Sequence, residues 1–378
     1  MTDPLEQTEI NTDVIIVGAG PAGAAAALTL LTYSDLKVTL VEQADLNDVR
    51  VAEHVGSDIF DLLGYLKITK SAFPEDTFLP CYNQTSYWGG DEPVSVQELF
   101  NIDNKAFRLD REKFDFVLLG YVAARGGLVY SRTRCTGFAQ GADHSWQLNL
   151  KNRSQGRFKL NGRYLIDACG RKADVCRQVG VLSARHDKLM GVGAFFHFDK
   201  SRKTKQEQVM ESHELGWWYC ARLPDQRQVV AFFSDADIIG QHRLNQPENW
   251  QQLLAQSRHI KFGGKGGAVL AGAPWVRNAS SHITHSVLKK NFIAVGDAAA
   301  SFDPISAIGL GFAMTSACHG AKAVQTQLTS TDKHTKKAQL DAYQQEVVDH
   351  FEHYLRLRKK CYRHEHRWSG ATFWSRRR

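Results

Sequence analysis

Val14-Ile15-Ile16-Val17-Gly18-Ala19-Gly20-Pro21-Ala22-Gly23, running on through Ala24 to Leu28, is the stretch that decides the fold. A β-branched run ends in glycine and passes through G-x-G-x-x-G into an alanine-rich segment, Ala22–Leu31; a second aliphatic run follows at Lys37–Val41. The order is strand, turn, helix, strand. In such a unit Gly18 permits the tight turn, Gly20 lets backbone approach a pyrophosphate, and Gly23 lets helix and strand pack closely. Pro21 and Ala22 open the helix, whose first amides and positive dipole end suit phosphate. Glu42 ends the second strand 19 residues after Gly23, positioned to accept hydrogen bonds from both hydroxyls of an unmodified ribose, and Gln43 is taken with it as cofactor-binding. The unit binds a dinucleotide, with FAD and NAD undivided at this stage.

Outward from that unit, 378 residues make one large composite fold or two linked domains. With 43% hydrophobic and 23% charged residues, a disordered chain, a collagen and a long coiled coil are excluded. Seven scattered cysteines show neither C-x-x-C spacing nor a disulfide framework, so no metal site is expected and a reducing compartment fits. The polar start and the lack of an apolar run of about 18 residues point to a cytoplasmic protein without a membrane partner.

Helical spacing is read at Val51–Leu66 and Arg111–Ala124, and short alternating strands at Ser145–Leu150 and Arg163–Asp167. Strands at Gly191–Phe198, Gly216–Leu223 and Gln228–Asp235 predict a second, sheet-rich layer. The glycine-rich stretch Phe262–Gly267 reads as a connection. The net charge of +7 is concentrated in the tail: residues 353–378 hold nine Lys or Arg against Glu365. That tail reads first as a solvated helix, with an acidic patch of its own body or a partner protein as alternatives; nucleic acid is not expected to be its partner.

A second cluster, Phe292-Ile-Ala-Val-Gly296-Asp297 through Pro304, Ile308, Gly309 and Leu310 to Met314, divides FAD from NAD. An acid follows a strand-end glycine, and a proline- and glycine-containing loop opens another helix. A flavin needs such a cluster: its ribityl hydroxyls want a carboxylate such as Asp297, and its pyrimidine edge gains charge on reduction and wants a helix N-terminus.

With both clusters in place, the chain resembles the FAD-dependent class A monooxygenase and geranylgeranyl-reductase superfamily, which shares the para-hydroxybenzoate hydroxylase fold. The resemblance implies an α/β fold: a Rossmann-like FAD-binding domain (1–80, 105–184 and 285–330) with an inserted β-sheet-rich substrate domain (81–104 and 185–284) and a C-terminal helical segment (331–378). It implies the GD motif at Gly296-Asp297, the flavin-face proline at Pro304, the helix-opening glycine at Gly309, and amides of Ile308 and Leu310 for the flavin. Ala307 stands where many relatives have glycine. Arg111, in Leu109-Asp-Arg-Glu-Lys-Phe-Asp-Phe116, matches the pyrophosphate-side arginine, and Arg50 and Glu53 lie where the chain nears the flavin. The family's DG motif survives only as Asp167-Ala-Cys-Gly-Arg171, and no second G-x-G-x-x-G follows a strand, so NADH or NADPH is expected as a transient reductant.

Within the superfamily the chain is similar to the tryptophan-halogenase-like branch, and there to the flavoproteins that mature the quinone cofactors of lysine-ε-oxidase and glycine-oxidase partners. The carriers are Gln84–Gly89, Gly216–Pro224, and the ending Arg367-Trp368 through Phe373–Arg377. The halogenase W-x-W-x-I-P spacing is absent near Trp217. The resemblance implies a monooxygenase that uses O2 through a flavin C4a-hydroperoxide to hydroxylate a tryptophan of a quinoprotein amino-acid oxidase precursor, on the way to cysteine tryptophylquinone. Trp88, Trp217, Trp218, Tyr219, Phe195 and His197 are expected as an apolar wall near the flavin; His54 beside Glu53 reads first as a satisfied surface or core histidine, with a proton relay near the flavin as the functional alternative. A small-molecule aromatic hydroxylase or halogenase, and a non-catalytic flavin-binding chaperone, remain the alternatives.

Overall fold

The computed structural model describes residues 9–45, 53–81, 83–95, 106–197, 207–223, 227–260, 269–270, 273–284 and 289–378. Its first sheet has seven strands in the order Leu128–Tyr130, Val38–Val41, Glu9–Val17, Gly156–Asp167, Trp146–Asn152 and Thr133–Gln140, with Phe292–Ala294 also paired to Gly156–Asp167. Four neighbouring pairings are parallel, and the last two strands return antiparallel. The central strands are buried on both faces, which is why Val14–Val17 reads as an unbroken apolar run and Val38–Val41 as a β-branched and aliphatic one, without polar alternation to an exposed face. Helices Pro21–Tyr33, Arg111–Ala124 and Gly309–Thr329 pack around this Rossmann-like sheet.

The second sheet has eight strands, in the order Val269–Leu270, Leu189–His197, Arg227–Asp235, Gly216–Arg222, Glu207–His213, Asn83–Tyr87 and Val94–Ser95, with Trp275–Asn278 also against Leu189–His197. Its residues alternate between two cores. One face, with Trp218, Phe232 and Val230, closes on Trp250, Leu253 and Leu254 of the helix Pro247–Ala255. The other, with Trp217, Ala231 and Phe233, turns towards the first sheet.

Two expectations are corrected. Val51–Leu66 is not one helix: Glu53–Gly56 is a strand, paired with Ala106–Leu109, and the helix is Ile59–Tyr65. The apolar spacing at Ile59, Leu62, Leu63 and Leu66 all falls after Asp58, so it carries no information about the residues before it. The basic tail is not a solvated helix. Helix Lys333–His364 lays Tyr343, Val347, Phe351 and Tyr354 on the first domain, then Cys361 and Tyr362 on the second sheet; Phe373 and Trp374 are fully buried there. The Phe262–Gly267 stretch lies outside the described residues. Among those residues no helix is long and apolar enough to cross a membrane.

Candidate functional site

Strand register builds the site. Val17 lies beside Val41 on one side and Asp167 on the other, and Asp167 lies beside Ala294. Four strands therefore end at one level, and Gly18, Glu42, Ala168 and Val295-Gly296 open along one edge, the carboxyl edge where open α/β sheets bind ligands. Gly18 has φ +109°, and a Cβ there would stand 2.3 Å from the Ala168 carbonyl oxygen; one on Gly23 would stand 1.9 Å from that of Gly18. Gly296 has φ +60°, and its Cβ would lie 2.6 Å from that of Ala22. The second turn is thus pressed against the start of the first helix, and the two turns, far apart in the chain, converge.

They open on one cavity of about 1110 Å³, above the roughly 300–1,000 Å³ of ordinary small-molecule sites. At one end stand Gly20, Pro21, Ala22, Glu42, Gln43 and Arg111. Glu42 accepts the amides of Ala19 and Ala44, each at 2.8 Å, which fixes its carboxylate and leaves further lone pairs. Arg111 forks onto Asp115 at 3.2 and 3.1 Å, so the guanidinium is aimed before any ligand arrives. Farther along are Asp297, Pro304, Ile308, Gly309 and Leu310. Asp297 is ion-paired with Arg171 at 3.2 Å, a partner that sequence reasoning had left as the remnant of another motif. Ala307 keeps φ +53°, the left-handed conformation a glycine would favour.

The helix starts differ instructively. Asp110 caps Arg111–Ala124, and Asp332 caps Lys333–His364. Two of the helices whose first residues line the cavity, Pro21–Tyr33 and Gly309–Thr329, have no side-chain cap. Their first amides are left for a ligand. Glycines with no room for a Cβ, two bare helix starts, two carboxylates and a guanidinium fit FAD.

Asp167, of the residual DG motif, is fully buried and accepts the amides of Cys169 and Cys176 at 2.9 and 2.8 Å. Burial raises its carboxyl pKa even against those two bonds. It ties a turn together and does not face the cavity. Gly23 and Gly296 likewise shape the cavity from behind. Arg50 lies outside the described residues, and Glu53 is placed by its backbone, opposite Leu109.

The third side of the cavity is the second sheet. Trp217, Tyr219 and Phe233 line it, with Met210 and Trp275. Trp218 does not: it points to the opposite face, against Phe232 and Trp250, as the two-residue period of a strand requires. Trp88 is also elsewhere. Its Nε1 donates to the Cys361 carbonyl at 3.0 Å, and its ring sits among Trp217, Tyr362 and Trp374, behind the wall. Phe195 packs by Trp275, and His197 is exposed at its strand end. Trp217 is held by Tyr362, whose hydroxyl accepts the indole N–H at 3.1 Å and donates to Asp303 at 2.7 Å.

His54 reaches the cavity from its edge strand. Gln84 Nε2 donates to His54 Nε2 at 2.8 Å, so that nitrogen carries no proton. Burial, with the Arg108 guanidinium adding to it, holds the His54 pKa down to about 4, and the ring is neutral at pH 7. Gln84, Gln208 and Asp303 are lining residues that sequence reasoning missed. Of these three, Gln208 could have been paired in advance with Met210 by the two-residue period of a strand.

The chain matches the FAD binding domain family over residues 11–357. It is 39% identical over 365 residues, 97% of this chain and 96% of the relative, to LodB of Marinomonas mediterranea, by name an FAD-dependent oxidoreductase. It is 26% identical to a tryptophan 2-halogenase of Chondromyces crocatus, over 85% of this chain and 62% of that one. In fold it is similar to the peptidyl tryptophan dihydroxylase QhpG, with a TM-score of 0.78 at 22% identity, covering 97% of this chain and 78% of that one. The flavin-dependent halogenase CmlS gives 0.81 at 22%, covering 97% and 68%. The chain therefore belongs to the FAD-binding-domain family, as an FAD-dependent oxidoreductase of the branch that holds LodB and the tryptophan halogenases.

Proposed function

We propose that the protein is an FAD-dependent monooxygenase that hydroxylates a tryptophan side chain of a partner polypeptide, a quinoprotein amino-acid oxidase precursor, while its cysteine tryptophylquinone is being built. NADH or NADPH is the electron source and O2 the oxygen source; ring C–H becomes C–OH, and the second oxygen atom leaves as water. The observation that carries this reading is the single cavity that runs from the two glycine turns to the aromatic wall of Trp217, Tyr219 and Phe233. It is supported by the likeness to LodB, and by a fold shared with QhpG, which is described as essential for tryptophylquinone cofactor biogenesis.

Bound FAD would supply the redox chemistry and the activation of oxygen. The chain supplies placement. The Gly18–Gly20 turn and the Ala22 amide would take the pyrophosphate with Arg111, Glu42 would take the ribose, and Asp297 with the Gly309–Leu310 amides would take the ribityl chain and pyrimidine edge. Trp217, Tyr219 and Phe233 keep water from the reacting face. His54 stays neutral at Nε2 and adds no positive charge beside an electron-rich ring.

Co-expression with a candidate oxidase, followed by mass spectrometry of that oxidase, tests the reading. Wild-type protein adds oxygen to one tryptophan, and Asp297→Ala leaves the oxidase folded without its quinone. Normal quinone absorbance with that variant rejects a flavin-dependent role, and turnover of free indoles or phenols with no effect on the oxidase moves the substrate to a small molecule.

A further inference from the structure

Gln208 is a buried polar residue of the cavity that is not among the residues assigned above to FAD. It is 4% exposed, lines the cavity, and its Oε1 has no hydrogen-bond partner among the described residues. Its strand runs parallel to Asn83–Tyr87 with Gln208 beside Gln84, and antiparallel to Gly216–Arg222 with Gln208 opposite Ala221. Met210 and Tyr219, two residues along on the same face, place an apolar floor next to it. Gln84 in turn is committed to His54, which burial keeps neutral. The cavity's carboxylates are Glu42, Asp58, Asp174, Asp297 and Asp303, all on segments other than these strands. A buried charge does lie near this corner, the Arg108 guanidinium that acts on His54 and donates to the Arg222 carbonyl at 2.7 Å; an orphaned acceptor among apolar neighbours is still costly until a donor arrives.

We infer that Gln208 Oε1 is the acceptor for the ring N–H of the substrate, and that the Gln208–Gln84–His54 corner selects aromatic rings that carry a hydrogen-bond donor. The inference rests on the proposed function for its choice of an indole. Ala231, a small residue that lines the cavity opposite Tyr219, leaves space for a flat ring over the sheet. Gln208 acts by position and takes no part in bond making. An isostere without the donor would leave the amide oxygen unpaired, a loss of roughly 5- to 150-fold in affinity.

The test uses the FAD-loaded full chain and two ring probes of equal shape, 3-methylindole and 3-methylbenzofuran, titrated by their perturbation of the flavin spectrum. Tighter binding of the indole by about fivefold or more is expected, with the preference falling to about twofold or less in Gln208→Leu. The wild-type comparison needs no variant, so it stands even if Gln208→Leu fails to fold. Equal affinities, a preference that survives Gln208→Leu, or no saturable perturbation by 3-methylindole overturns the assignment. A third probe, p-cresol, separates the two readings. If it binds more tightly than the indole and with the same dependence on Gln208, the acceptor role stands and the partner-tryptophan reading falls. Oxygen added to the oxidase with no Gln208-dependent preference has the opposite meaning.

Discussion

Replacing Tyr362 by phenylalanine removes one oxygen atom from the place where the C-terminal helix holds the cavity wall. That oxygen accepts from Trp217 Nε1 at 3.1 Å and donates to Asp303 Oδ2 at 2.7 Å, and all three residues are essentially inaccessible to water. The substitution strands a buried indole N–H and takes a donor from a buried carboxylate; together these cost about 3 kcal/mol. At about 2.1 cal/mol/K per residue, a chain of 378 residues unfolds with roughly 0.8 kcal/mol/K, so the midpoint should fall by about 4 °C. Tyr343→Phe is the internal comparison. Its hydroxyl makes one neutral bond, to the Ala294 carbonyl at 2.6 Å, and its loss should cost about 1 kcal/mol and move the midpoint by about 1 °C. Burial raises the Asp303 carboxyl pKa, with Arg358 opposing, so the folded state protonates this acid at higher pH than an unfolded chain does. The anion's need for the Tyr362 donor is then greatest above that raised pKa, and the Tyr362→Phe deficit should narrow as pH falls through it. Thermal unfolding followed by circular dichroism at pH 8 and pH 5 measures both effects. A Tyr362→Phe midpoint no lower than that of Tyr343→Phe, or a deficit that widens in acid, refutes the reasoning.

Three further outcomes follow from the same geometry. In Arg377→Met the buried Asp235 keeps, among the described residues, only the Arg376 guanidinium, at 2.9 Å, and unfolding should become easier by about 3 kcal/mol. Burial would raise the Asp235 carboxyl, but Arg377 and Arg376 hold it below its usual range; the difference should therefore be full above about pH 4 and vanish on acidification, as read by urea titration across pH. His54 has its pKa lowered from 6.5 to about 4. Its unfolded form takes up a proton first, so stability should drop by up to about 3 kcal/mol between pH 6.5 and 4, a drop that His54→Gln removes and that denaturant midpoints would show. Gly23→Ala places a methyl 1.9 Å from the Gly18 carbonyl oxygen, and the purified protein should hold less than about a tenth of the wild-type flavin by its absorbance near 450 nm; full yellow occupancy would contradict the turn's role.

The parts of the site that are legible in the sequence are those fixed by local backbone demands. Gly18 and Gly23 are required by carbonyls a few residues away, or on the neighbouring strand, and a strand-end acid such as Glu42 advertises itself by spacing alone. The aromatic wall obeys a different logic. Alternation along Gly216–Arg222 states that Trp217 and Tyr219 share a face that Trp218 does not, yet it cannot say which face meets the cavity. That depends on Trp250, from a helix after the strand, filling the Trp218 side. Trp88 is less legible still. Its hydrogen bond spans 273 residues to Cys361, and nothing near Trp88 in the chain announces it. The strand at Glu53–Gly56 was hidden because its partner, Ala106–Leu109, lies some 50 residues away and its own four residues are too few to show a period.

The basic tail shows how charge composition misleads when partners are remote. Arg358 pairs with Asp187 and Asp303, Arg367 with Glu365 and Asp91, Arg376 with Asp235 and Asp237, and Arg377 with Asp235. Each of these acids except Glu365 comes from the body of the protein, so much of the tail's charge is spent on folding it against that body. Its aromatics are spent likewise: Phe373 and Trp374 are buried, and Trp374 donates to the His213 carbonyl at 2.9 Å. A partner polypeptide that docked by peeling this segment away would expose two large aromatic side chains, at about 1.5–3 kcal/mol each, and would strand Asp235 and Asp303. It would also free Trp217 from Tyr362 and so loosen the wall against which a ring must lie. On the proposed function, then, the C-terminal segment is the fixed back of the substrate site, and a partner's ring has to reach the cavity with that segment in place.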